Sequence, residues 1–121
     1  SGPSSLMLAL MASGLNGQSF AFLGYIPAKT DERRQALKNI ERHSASERQT
    51  KIFIETPYRN DSLFADILSV CQGGTELCIA ANITLPDAFI RTRTISEWKK
   101  IAASGKEIIG KRPCVFLILA H

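Results

Sequence analysis

Apolar and polar residues fall in blocks along this chain, and the blocks alternate between the periods of helices and of strands. Leu6 to Ala12 is apolar all round, which predicts a helix buried in the core or covered by another surface, a partner domain or a second subunit. Gly2-Pro3-Ser4-Ser5 opens that helix: proline suits a first turn, and serine hydroxyls satisfy its free amides. Gly14 stops it, and Asn16-Gly17 makes a turn. Ser19 to Leu23 reads as a short buried strand ending at Gly24-Tyr25-Ile26-Pro27. Thr30 then caps a helix to about His43, with Asp31 and Glu32 in the first turn where the helix dipole favours them. Ala36, Leu37 and Ile40 give this helix a narrow apolar stripe, and the rest of it is charged.

Thr50 to Glu55 is a second strand. Asn60 or Asp61 caps the next helix, whose Leu63, Phe64, Ile67, Leu68 and Cys71 share one face up to Gly73-Gly74. Leu77 to Ile83 is a third strand and Ala88 to Thr92 a fourth. The link Leu85-Pro86-Asp87 is too short for a helical crossover, so these two are antiparallel neighbours. Ile95, Trp98 and Ile101 line a short helix. A loop with Gly105 and Gly110 leads to a last strand, Cys114 to Leu119. The order αβαβαββαβ predicts an α/β fold: a mixed sheet of about five strands with helices on its faces, in a single domain over residues 1–121.

Composition narrows the classes. The longest apolar runs are far short of a membrane span, and no basic region precedes the first of them as in a signal peptide. Three cysteines, Cys71, Cys78 and Cys114, lie among apolar neighbours without metal-ligand spacing, so buried thiols in a reducing compartment are expected and no metal. The net charge of +4 is modest but clustered. Lys29, Arg33, Arg34, Lys38 and Arg42 form one basic segment; Lys99, Lys100, Lys106, Lys111 and Arg112 form another. Such clusters either follow a phosphate backbone or make a solvated helix face. His43 and His121 are the only histidines, which excludes a Ser-His-Asp set; phosphate-binding glycine loops and paired strand-end carboxylates are also missing. An enzyme built this way uses its side chains to position a reactive cofactor.

Candidate chemistry sits at the strand ends. In Ile52-Phe53-Ile54-Glu55-Thr56-Pro57-Tyr58-Arg59-Asn60, an apolar strand runs into an acceptor, a hydroxyl, an aromatic ring and a cation. α/β sheets bind ligands in such crevices, and this set suits an adenosine. An internal Glu55–Arg59 ion pair that locks the turn explains the same residues. Ser4 and Ser5 at a helix N-terminus suit a polar ligand or simple capping. Arg91-Thr92-Arg93-Thr94 ends the fourth strand, with arginines for phosphate or for protection of an edge.

Several of these segments together resemble the C-terminal half of the tetrapyrrole methylase superfamily. They are Gly2-Pro3-Ser4-Ser5, the run from Ser19 to Lys29, Glu32 to Leu37, and Ile52 to Arg59. Within it the chain is most similar to the ribosomal RNA small-subunit methyltransferase I branch and its Bacteroidetes-type members, over essentially its whole length. The resemblance implies S-adenosylmethionine as cofactor and methylation of a ribose 2′-hydroxyl in small-subunit ribosomal RNA by a cytoplasmic homodimer. It also implies an N-terminal domain supplying the other half of the cofactor cleft, so the chain alone is expected to be inactive. Carried over by position, Ser4, Ser5, Glu55, Thr56, Arg93 and Thr94 line the cofactor; Tyr25, Lys29, Arg33, Arg34 and Arg59 face RNA. The catalytic residues are not identified. In Asn82-Ile83-Thr84-Leu85-Pro86-Asp87, Asn82 stands where the branch often has an acidic residue, and the histidine of its following Lys-x-His-Glu run is absent. A tetrapyrrole or other small molecule as methyl acceptor, or a non-catalytic dimerisation or RNA-binding module, are the other readings of the chain.

Overall fold

The computed structural model describes residue 9 and residues 13–15, 19–82 and 85–121. The strands are β1 (Phe20–Tyr25), β2 (Thr50–Ile54), β3 (Glu76–Ala81), β4 (Phe89–Thr94) and β5 (Cys114–Leu119). The helices are α1 (Thr30–Glu47), α2 (Asn60–Val70) and α3 (Ile95–Ala103), with a 3-10 turn at Pro57–Arg59. One sheet has the order β1-β2-β5-β3-β4, as a mixed sheet of five strands requires. The most apolar strands, β2, β5 and β3, take the inner places, where both faces are covered.

Side-chain alternation divides the core in two. Phe53, Leu77, Ile79, Phe116 and Ile118 meet Leu37 and Ile40 of α1, Leu63, Phe64 and Ile67 of α2, and Ile95 and Trp98 of α3. Ile52, Cys78, Ala80 and Leu117 face the other way, against Ala9 and Leu15. The three described helices therefore share one face of the sheet. Trp98 anchors α3: its indole N–H donates to the Leu77 carbonyl at 2.8 Å, and its ring meets Phe64 edge-on.

Strand direction decides what shares an edge. β1 and β2 are parallel; β5 is antiparallel to both β2 and β3, and β4 is antiparallel to β3 as its short link predicts. Hence β1, β2 and β3 end on one edge of the sheet, where β5 and β4 begin. β4 ends on the opposite edge, with Arg93 paired to Leu77 and Thr94 to Glu76 at the start of β3.

Five local expectations are corrected. Thr30 opens α1 instead of capping it. β1 is an edge strand rather than a buried one: Phe20, Phe22, Leu23 and Tyr25 are exposed. α1 runs on to Glu47, because the Ser44–Glu47 stretch contains no breaker and Arg48, at φ 52°, supplies the left-handed stop. β3 ends at Ala81, since Asn82 turns left-handed at φ 51° and donates from its amide to Asp87. Asn60 does not cap α2 but opens it, and its Nδ2 donates to the Arg112 carbonyl at 2.7 Å. The predicted N-terminal helix, apart from Ala9, and the Asn16-Gly17 turn lie outside the described residues.

Candidate functional site

Glu55 follows the last residue of β2 and sits at the centre of the edge where three strands end. Its side chain is 1% exposed. One carboxylate oxygen lies 3.1 Å from Arg33 Nη2; the other accepts the Thr56 amide at 2.8 Å and pairs with Arg59 Nε at 3.1 Å. Burial pushes the Glu55 carboxyl up. The Thr56 amide and the Arg59 and Arg33 guanidiniums outweigh it, and the carboxyl is held below its ordinary range. The Glu55–Arg59 pair does lock the turn, as the simpler reading has it, but in a buried site instead of on the surface.

Arg33 is the other half of this arrangement. It lies four residues before Leu37 and seven before Ile40, on the buried stripe of α1. Its side chain is 2% exposed. The guanidinium donates to the Pro27 carbonyl at 3.2 Å, Ser62 Oγ at 3.1 Å, Asp66 Oδ2 at 3.2 Å and Glu55 Oε2 at 3.1 Å. All four partners flank the same strand-end region, so Arg33 ties α1, α2 and the β2 turn together. Arg33 was expected to face RNA; here four of its five N–H donors are taken and the group is out of solvent. Arg34, half exposed, reaches Asp66 Oδ1 at 3.2 Å on the outer side.

Four other residues expected at an RNA surface are on or beside this edge. Lys29 and Tyr25 are exposed, and Arg34 and Arg59 are partly so. Arg59 also lies over the Tyr58 ring, 4.9 Å from its centroid, and donates to the Tyr58 hydroxyl at 3.0 Å. Of the expected cofactor residues, Glu55 and Thr56 belong to this edge, with Glu55 already fully engaged. Arg93 and Thr94 do not: they lie across the sheet, and no single wall holds them with Glu55. Thr94 instead caps α3, accepting the Glu97 amide while the Glu97 carboxylate accepts the Thr94 amide. The Thr94-x-x-Glu97 spacing carries that signal in the sequence. Ser4 and Ser5 lie outside the described residues.

Among the described residues, three buried side-chain atoms have no hydrogen-bond partner, all at this edge: Thr56 Oγ1, Asn60 Oδ1 and Arg59 Nε, the last of which has its ion pair with Glu55. Buried orphans are rare and point to a missing partner. Asn60 was not anticipated as a site residue; only its position three residues beyond Pro57 hinted that it would turn inward. The opposite edge holds a groove of about 740 Å³ lined by Lys38, Glu41, Arg42, Gln72, Thr75 and His121 among others, and none of the expected site residues is in it. The three cysteines are buried free thiols, and burial raises Cys71 and Cys114 to about 12. None of the described helices is long and apolar enough to cross a membrane.

Comparison with known proteins defines the class. Two solved methyltransferases share the fold: CobJ, with a TM-score of 0.56 and 16% identity over 95% of this chain and 47% of its own, and the cobalt precorrin-4 methyltransferase CbiF, at 0.57 and 12% over 95% and 48%. The fold is therefore that of the tetrapyrrole methylases. In sequence the chain is 39% identical over 83 residues to ribosomal RNA small subunit methyltransferase I of Vibrio cholerae, covering 69% of this chain and 27% of that protein. The protein of the same name from Thermotoga maritima is 34% identical over 118 residues, covering 88% and 50%. No family model matches. The chain is a relative of ribosomal RNA small subunit methyltransferase I, and it spans a quarter to a half of the length of these relatives.

Proposed function

We propose that the protein carrying this chain transfers a methyl group from S-adenosylmethionine to a ribose 2′-hydroxyl of small-subunit ribosomal RNA. In this reading the chain is the C-terminal domain of a cytoplasmic homodimer, and an N-terminal domain supplies the facing wall of the cleft. The observation that carries the reading is the 39% identity, over 83 residues, to a ribosomal RNA small subunit methyltransferase.

In this reading the nucleoside lies at the end of β2. Thr56 Oγ1 and Asn60 Oδ1 are polar, buried and unsatisfied, and they would hold the cofactor's donor groups. Bound S-adenosylmethionine supplies a methyl on a positively charged sulfur. The chain's own residues bind, orient and keep the turn in place. Glu55 and Arg33 fix the turn, so its backbone and Thr56 meet the ligand preorganised. Lys29, Arg34 and Arg59 lie beside it as cations for a phosphate backbone. This reading leaves Arg93 and Thr94, on the opposite edge, out of the cofactor site.

Full-length protein is incubated with tritiated S-adenosylmethionine and small ribosomal subunits. Label in the ribosomal RNA at a ribose is the expected result. Cofactor binding with label absent from RNA and present on a tetrapyrrole would replace the proposed substrate with a small molecule.

A further inference from the structure

Tyr58 is the most exposed of the large hydrophobic side chains described, at 68%, and the Arg59 guanidinium lies over its ring. A chain of contacts runs to it from the core. Asp66 holds Arg33, Arg33 holds Glu55, Glu55 pairs with Arg59, and Arg59 lies over the Tyr58 ring and bonds its hydroxyl. Three charges in this chain, Arg33, Glu55 and Asp66, are at least nine-tenths buried. Burying charges is costly, and a solvated turn has no need of it. The outcome of the arrangement is an exposed aromatic surface with a cation against it. A second exposed ring, Tyr25 at 66%, ends the neighbouring strand, where it pairs with Ile54.

We infer that Tyr58 is a stacking platform for an unpaired base of the RNA substrate, with Arg59 polarising the ring and meeting the flanking phosphate. The inference deepens the proposed function and rests on its RNA substrate. Aromatic rings stack any base face, whereas duplex bases are already stacked on one another, so this surface selects single-stranded or extruded nucleotides. The cofactor's adenine is the other nucleobase such a ring could stack on, and the S-adenosylhomocysteine arm of the test separates the two.

The test uses full-length protein and a fluorescent single-stranded RNA 12-mer, the same RNA in a duplex, and S-adenosylhomocysteine by calorimetry. Tyr58→Ala is expected to weaken single-strand binding by roughly 5- to 100-fold, the usual loss for one stacked base. Tyr58→Phe, which keeps the ring, is expected to stay within about threefold of wild type. Duplex and S-adenosylhomocysteine affinities are expected to be unchanged in both variants. Single-strand affinity within twofold of wild type in Tyr58→Ala overturns the stacking role, as does an equal loss for duplex. A loss confined to S-adenosylhomocysteine moves the ring to the cofactor. Wild-type protein that binds no RNA while still binding S-adenosylhomocysteine overturns the RNA substrate itself, and the stacking role with it.

Discussion

Replacing Arg33 by methionine separates a buried structural cation from a surface one. Methionine retains most of the apolar stem and removes the guanidinium. Four hydrogen bonds of 3.1–3.2 Å disappear, and two carboxylates lose their shared partner. Glu55 keeps the Thr56 amide and Arg59, and Asp66 keeps Arg34, so neither is left bare. Breaking a buried pair from one side costs about 3 to 5 kcal/mol, and these residual partners place the expected loss near the lower figure. A solvated cation on α1 would cost within about 0.5 kcal/mol. For a domain whose whole stability is about 5 to 15 kcal/mol the difference is large. Urea unfolding followed by fluorescence of Trp98, the chain's single tryptophan, measures it. Adding Glu55→Gln to Arg33→Met is expected to cost less than the sum of the two single changes, since the double variant has fewer buried charges. A loss below about 1 kcal/mol in Arg33→Met, with an unchanged denaturant slope, refutes the reasoning.

Acidification is expected to act through Glu55. Its folded-state carboxyl titrates below the ordinary range, so the stability it contributes is fully present above about pH 4.3 and is lost as pH falls through the depressed value. Glu55→Gln is expected to be less stable at pH 7 and to lose less on acidification, as acid titration followed by circular dichroism would show. Thr94→Ala is expected to cost about 1 kcal/mol through the lost cap and to leave S-adenosylhomocysteine affinity unchanged in full-length protein. An affinity drop without a stability loss would return Thr94 to the cofactor site. Cys71 and Cys114, raised to about 12 by burial, are expected to resist Ellman's reagent at pH 8 until urea unfolds the chain.

Much of the fold was legible because apolar blocks have the lengths and periods of buried strands and one-sided helices. The hairpin between β3 and β4 followed from a three-residue link. That same link implied that β4 runs away from the Glu55 edge and carries Arg93 and Thr94 to the opposite one, which motif matching without strand direction does not show. The burial of Arg33 was hidden for a different reason. Its neighbours Arg34 and Lys38 are exposed, and the basic run reads as one face, yet its four-residue spacing to Leu37 assigns it to the buried stripe. No local pattern announces that a cation will be buried, because the carboxylates that permit it, Glu55 and Asp66, are supplied by distant segments. The orphaned atoms of Thr56 and Asn60 depend on side-chain surroundings that only the packed structure defines.

Hydrogen exchange of full-length protein, with and without S-adenosylhomocysteine, tests most directly whether the β2 end is the working edge. The account predicts slowed amide exchange at residues 55–60 and no change at residues 93–96. Protection at 93–96 with none at 55–60 would contradict it.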